Sequence, residues 1–194
     1  MALAGQKIGL LGGSFDPPHS GHVHITRRAI RRFGLDQVWW IVSPGNPLKQ
    51  DAPASLVRRM IACRELADHP KILVTDIEAR LGSRYTANTL RRVKSLYPGV
   101  NFVWLMGADN LASFHRWEDW GKIMETMPIG VLSRPGDQIA AGTSPAARRY
   151  ARFRWPESAS RVLASRPAPA WTLLSGPMVE QSSTEIRKSG AWKR

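Results

Sequence analysis

Gly12-Gly13-Ser14-Phe15-Asp16-Pro17-Pro18-His19-Ser20-Gly21-His22 follows a short apolar run, Ile8-Gly9-Leu10-Leu11, and precedes a segment of helical character. The order is strand, glycine-bearing turn, helix start. Small residues let backbone N–H groups approach an anion, and the free N–H groups and dipole of a helix start favour negative charge. His19 and His22 stand three residues apart, so both imidazoles can face one phosphate. The plainer alternative is a β-α turn whose histidines only cap the helix. The Gly-Gly-Ser-Phe-Asp-Pro run ahead of them favours the phosphate reading.

Working outward, strand candidates lie at residues 7–11, 37–43, 71–77, 100–106, 128–133 and 171–174. Each is a short run rich in Val, Ile, Leu or Trp, as expected of strands buried on both faces. Helical stretches at about 21–33, 55–68, 86–97, 109–126 and 145–154 fill the gaps. Ser55 is placed to cap the second, Thr86 to cap or begin the third, and Pro98-Gly99 to stop it. The alternation predicts an α/β fold: a Rossmann-like, doubly wound, mainly parallel sheet with helices on both faces, in a single domain over 1–194. The stretch near 135–170, rich in Pro, Ala, Ser and Arg, reads as an excursion with one or two short helices.

Such sheets bind ligands beyond the carboxyl ends of their strands. His19/His22, Asn46-Pro47-Leu48-Lys49, Gly107-Ala108-Asp109-Asn110 and Ser133-Arg134-Pro135 each follow a predicted strand and should therefore converge on one rim. Composition narrows the partners. Lys and Arg number 28 against 15 Asp and Glu, a net charge of +13 that suits nucleic acid or small polyanions such as ATP. The charge is dispersed, with Arg27, Arg28, Arg31 and Arg32 on one helix and Arg148, Arg149, Arg152 and Arg154 on another. No nucleic-acid module is visible, so no nucleic-acid partner is expected. Nothing approaches a run of about 20 apolar residues, the N-terminus lacks the order of a secretion signal, and Cys63 is the lone cysteine. These features predict a cytoplasmic protein with no membrane partner and no cysteine-held metal.

The far end carries Ser182-Ser183-Thr184-Glu185-Ile186-Arg187, which follows the last strand and looks like a helix start. A serine or threonine there caps the helix or offers its hydroxyl to phosphate, and Arg187 supplies a planar charge one turn on. A plain capping box, Ser182-x-x-Glu185, is the competing reading.

The N-terminal stretch resembles the signature of the nucleotidylyltransferase superfamily with the H-x-G-H motif, and Ser183-Thr184-x-x-Arg187 resembles its second phosphate motif. Tyr85-Thr86-Ala87-Asn88-Thr89-Leu90, Met106-Gly107-Ala108-Asp109-Asn110-Leu111 with Trp117, and Ser133-Arg134-Pro135-Gly136 resemble elements of the bacterial nicotinate-nucleotide adenylyltransferases. The resemblance runs from Gly12 to Arg187. It implies transfer of the adenylyl group of ATP to nicotinate mononucleotide, with ATP entering alongside Mg²⁺ and no metal held by the protein itself. His19 and His22 would be catalytic. Gly12, Gly13, Ser14, Phe15, His19, His22, Ser183, Thr184 and Arg187 would bind ATP, and Lys49, Thr86, Gly107, Asp109, Trp117 and Arg134 the mononucleotide.

Rivals are an adenylyltransferase for nicotinamide mononucleotide or phosphopantetheine, and a noncatalytic basic module. Monomer and homo-oligomer both fit. Three departures stand out: Leu48 replaces the polar residue of the family's Pro-x-His-Lys pattern, few residues follow Arg187, and the 135–170 segment has no firm counterpart.

Overall fold

The computed structural model describes residues 2–45, 52–133, 138–176 and 181–193. Its strands are β1 (Lys7–Gly13), β2 (Gln37–Val42), β3 (Ile72–Thr75), β4 (Asn101–Gly107), β5 (Ile129–Leu132) and β6 (Trp171–Leu174). They form one sheet in the order β3-β2-β1-β4-β5-β6, every pair parallel. The order reverses between β1 and β4, where loops leave in opposite directions and open a crevice for a ligand.

The strand sequences read as continuous apolar runs because both faces are covered. One face presents Leu10, Ile41, Trp104, Val131 and Trp171 to a core completed by Leu90, Leu111 and Phe114. The other presents Leu11, Trp40, Leu105 and Leu132 to a core completed by Ala29, Phe33, Cys63 and Leu163. Helices α1 (Ser20–Phe33) and α2 (Leu56–Leu66) supply the second face, while α4 (Thr86–Leu96), α5 (Ala108–Ser113) and α6 (Trp120–Thr126) supply the first. Ser55 Oγ accepts from Arg58 N at 3.3 Å and caps α2 as expected. The short helix α3 (Ile77–Arg80) lies between β3 and α4.

Three segments depart from the sequence reading. The strand expected to reach residue 77 ends at Thr75, and Ile77 instead starts α3. The helix expected over 109–126 is broken: after α5 comes a 3-10 turn at Phe114–Arg116, then Trp117 in extended backbone and Asp119 in the left-handed region at φ 53 before α6. That break lets the Trp117 ring meet Phe114 edge-on at 5.3 Å. The stretch expected as a helix over 145–154 is α8 (Pro145–Arg149) plus a 3-10 turn at Ala151–Phe153.

The 135–170 excursion contains α7 (Gln138–Gly142), α8 and a further 3-10 segment, Glu157–Ser165. It is not peripheral: Ala141, Ala146, Ala147 and Tyr150 enter one core, and Leu163 and Ala164 enter the other. A last short helix, α9 (Ser183–Lys188), completes the described chain. Among the described residues no helix is long and apolar enough to cross a membrane.

Candidate active site

The H-x-G-H segment sits where β1 turns into α1. His19 is the N-cap of α1: its Nδ1 accepts from Gly21 N at 3.2 Å. His22, at the third helical position, returns the bond, its Nδ1 accepting from His19 N at 3.1 Å. This is a capping box built from two imidazoles in place of the usual hydroxyl and carboxylate. An Nδ1 that accepts carries no proton, so in each neutral ring the proton resides on Nε2. The two rings lie 4.0 Å apart between centroids, beside the first turn of the helix. Both sequence readings hold at once: the histidines cap the helix, and capping fixes which ring nitrogen is the donor.

Behind the histidines the packing is aromatic. Phe15, almost wholly buried, lies 4.7 Å from the His22 ring and stacks on Trp40 at 5.1 Å. Thr26 Oγ1 donates to His22 O at 2.8 Å and accepts from Trp40 Nε1 at 2.8 Å. Phe15 itself takes φ 47, a left-handed conformation that bulky side chains rarely adopt. Gly12 passes directly under the Trp104 ring, so close that a Cβ would collide with it; only glycine lets the strand end lie against β4 there.

The second phosphate motif folds back onto the first across more than 160 residues. Ser183 Oγ donates to Pro17 O at 2.8 Å, and the Arg187 guanidinium donates to Asp16 O and, at 3.1 Å, to Thr184 Oγ1. Gln181 Oε1 accepts from Ser20 N at 3.1 Å and Ser20 Oγ at 2.6 Å, clamping the start of α1. Ser182 and Glu185 do form the capping box of α9. The cap and the docking coexist, as they do for the histidines.

The remaining expected residues lie on the other face of the sheet. Thr86 is the first residue of α4 and the N-cap is Tyr85, without a side-chain bond. Gly107 ends β4 and caps α5; Asp109, in the first turn, makes no capping bond there, and its carboxylate lies where a Gly107 Cβ would otherwise sit. Trp117 is partly buried against the same core as Ala87, Leu90, Ala108 and Phe114. Thr86, Gly107, Asp109 and Trp117 therefore share the α4/α5 side of the crevice, and the phosphate motifs its α1 side. Lys49 and Arg134, with the departure at Leu48, lie outside the described residues.

Sequence reasoning passed over three residues. Arg59 is fully buried and grips four carbonyls: Ser14 O at 2.6 Å, Ser43 O at 2.7 Å, Ala54 O at 2.7 Å and Pro44 O at 3.2 Å. Burial lowers its pKa, opposed by the nearby Asp16 carboxylate. An arginine in register with Met60 and Cys63 on the buried face of α2 was the available signal. Asp16, read as a turn residue, is buried and accepts from Ala54 N at 3.3 Å and Trp192 Nε1 at 2.7 Å. Glu78, buried in α3, accepts from Thr89 Oγ1 at 2.9 Å just behind the Thr86 loop, and burial raises its pKa.

Phosphate-binding donors at the switch point of a parallel 3-2-1-4-5-6 sheet define a nucleotide-binding α/β transferase, and residues 10–189 match the family model described as cytidylyltransferase-like. A "probable nicotinate-nucleotide adenylyltransferase" of Ruegeria sp. (strain TM1040) is 62% identical, covering 95% of this chain and 98% of that one. Another from Roseobacter denitrificans is 59% identical over 98% of this chain and 96% of its own length. The chain belongs to the cytidylyltransferase-like family and, within it, to the nicotinate-nucleotide adenylyltransferases. Among solved structures, the Plasmodium falciparum nicotinic acid mononucleotide adenylyltransferase complexed with NaAD superposes with a TM-score of 0.68. It shares 19% identity over 94% of this chain and 83% of that one, a likeness of fold.

Proposed function

We propose that this protein transfers the adenylyl group of ATP to nicotinate mononucleotide, releasing pyrophosphate and nicotinate adenine dinucleotide in the synthesis of NAD. The observation that carries the reading is the meeting of the two phosphate motifs, from opposite ends of the chain, at the N-terminus of α1. The names of relatives up to 62% identical support the same substrate.

In this mechanism an oxygen of the mononucleotide phosphate attacks the α-phosphorus of ATP as the bond to the β-phosphate oxygen breaks, and pyrophosphate leaves with the electron pair. A phosphate is nucleophilic at neutral pH, so no covalent intermediate or strong base is needed. Alignment and charge stabilisation carry the rate. The Nε2–H groups of His19 and His22 would bond the α-phosphate as negative charge grows on the leaving side, with Gly12, Gly13, Ser14 and Phe15 supplying backbone contacts. Ser183, Thr184 and Arg187 would hold the outer phosphates. Arg187 already bonds Asp16 O and Thr184 Oγ1, which fixes its guanidinium plane at the loop.

The donors gathered here are imidazole, amide, hydroxyl and guanidinium groups, suited to phosphate rather than to a hard cation. ATP therefore enters as a divalent-metal complex, with Mg²⁺, whose ligands are phosphate oxygens and water. Across the crevice, Trp117 would stack on the pyridinium ring while the Thr86 loop receives its carboxylate, with Gly107 and Asp109 beside the ribose phosphate. Lys49 and Arg134 complete the proposed mononucleotide set from sequence alone. The protein would act in the cytoplasm, as a single domain.

Pyrophosphate release with ATP, Mg²⁺ and either nicotinate or nicotinamide mononucleotide tests the reading. Strong preference for nicotinate is expected. Equal use would remove the carboxylate role of the Thr86 loop, and release with neither, from folded protein, would refute the function.

A further inference from the structure

The geometry points to Arg59 as the positioning residue of the ATP loop: from the second layer of the fold it turns the Phe15 N–H toward the phosphates. The inference rests on the adenylyl-transfer reading for what that loop binds.

Along Gly13–Pro17 the carbonyls are engaged one after another. Gly13 O accepts from Ser43 N at 2.9 Å, Ser14 O from Arg59, Asp16 O from Arg187 and Pro17 O from Ser183 Oγ. The Ser14–Phe15 peptide is trans, since the cis bonds among described residues are Asp16–Pro17 and Ala168–Pro169. In a trans peptide the C=O and the next N–H point in opposite directions. Arg59 draws Ser14 O toward α2, so the Phe15 N–H is turned away from α2. No described residue accepts a hydrogen bond from that N–H. The same residue carries the strained φ of 47, which persists only where surroundings over-determine it.

Arg59 does more than satisfy one carbonyl. Its Nη1 also bonds Ser43 O at the end of β2, and its Nε bonds Ala54 O at the entry to α2. The Ala54 N–H in turn donates to Asp16 Oδ1. One planar fork thus locks the loop after β1 to the end of β2 and the start of α2. A lysine offers the same charge from a single point and cannot reproduce the fork.

The test is Arg59→Lys, with dissociation constants for ATP and for nicotinate mononucleotide measured by calorimetry on the folded fraction. Loss of an oriented amide should weaken ATP by roughly tenfold, about one charge-assisted hydrogen bond, while the mononucleotide stays within about twofold. A purely structural role would reduce the folded fraction and leave both constants unmoved, which overturns the inference. Should the variant not fold, the ¹⁵N–¹H resonance of Phe15 in the wild-type protein decides. It should shift with ATP and stay put with adenosine; no shift with ATP overturns the inference as well. Wild-type turnover is assayed alongside. A wild type that binds ATP through Phe15 yet releases no pyrophosphate refutes the reaction and leaves the positioning role standing.

Discussion

Replacing His19 separates its two jobs. Its Nδ1 caps α1 through Gly21 N at 3.2 Å, and its Nε2–H is the proposed phosphate donor. His19→Ala removes both. Loss of an N-cap costs about 1 kcal/mol, which lowers the melting temperature by about 2–4 °C in a chain of this length. His19→Asn keeps an acceptor at the cap, because asparagine is among the best N-caps, and should hold stability within a few tenths of a kcal/mol. Neither variant carries the Nε2–H. Removing one preorganised donor from developing charge costs about 10²–10³ in kcat, or about 3–4 kcal/mol of transition-state stabilisation. Asparagine should therefore restore the melting temperature and not the rate. Thermal unfolding together with pyrophosphate release at saturating ATP and nicotinate mononucleotide reads both. A folded His19→Asn variant that loses less than about tenfold in kcat would refute the phosphate role and leave the histidine a cap.

Two further outcomes follow from buried groups. Glu78 is raised in pKa by burial, so the native state holds its proton above the pH at which the unfolded chain releases it. The folded pKa lies above the unfolded one, and stability from this group is present at low pH and lost as pH rises through the folded value. Glu78→Gln keeps an acceptor for Thr89 and abolishes the titration, so its melting temperature should gain on wild type between roughly pH 4 and pH 7; a difference that is flat with pH refutes this. Trp192→Phe keeps a ring beneath Arg58, which sits 4.3 Å above it, but removes the indole N–H from the buried Asp16 carboxylate. A lost bond to a buried charged acceptor costs about 1–3 kcal/mol, visible as a lower urea midpoint. An unchanged midpoint would show that Asp16 does not need the tail.

The sheet was legible because its physics is local. A strand covered on both faces must be apolar throughout, and Val38-Trp39-Trp40-Ile41-Val42 can hardly be anything else. The helix interruption at 114–119 was not legible, because nothing in Phe114-His115-Arg116-Trp117 breaks a helix by propensity. The break is set by the Phe114–Trp117 contact and the left-handed Asp119, which depend on tertiary packing. The 135–170 segment was read as an excursion from its composition. Its small residues, Ala141, Ala146, Ala147 and Ala164, are instead what let it pack tightly into both cores.

The site divides the same way. Residues that meet phosphate announce themselves, since glycines, paired imidazoles and a capping serine are costly or unusual anywhere else. Residues that hold those groups in place do not, because a guanidinium on carbonyl oxygens leaves no motif. Arg59 looks like any helix arginine until it is seen with no solvent exposure and four carbonyls around it. Burying that charge without partners would cost several kcal/mol, so the carbonyls of Ser14, Ser43, Pro44 and Ala54 are a requirement of the fold as much as a benefit to the loop. The histidines obey the same logic from the other side. Because Nδ1 is committed to the helix start in each ring, Nε2 alone is left to carry the proton. The α1 cap thus selects the tautomer that phosphate requires, and a change that loosened the cap would disturb chemistry before it unfolded the chain.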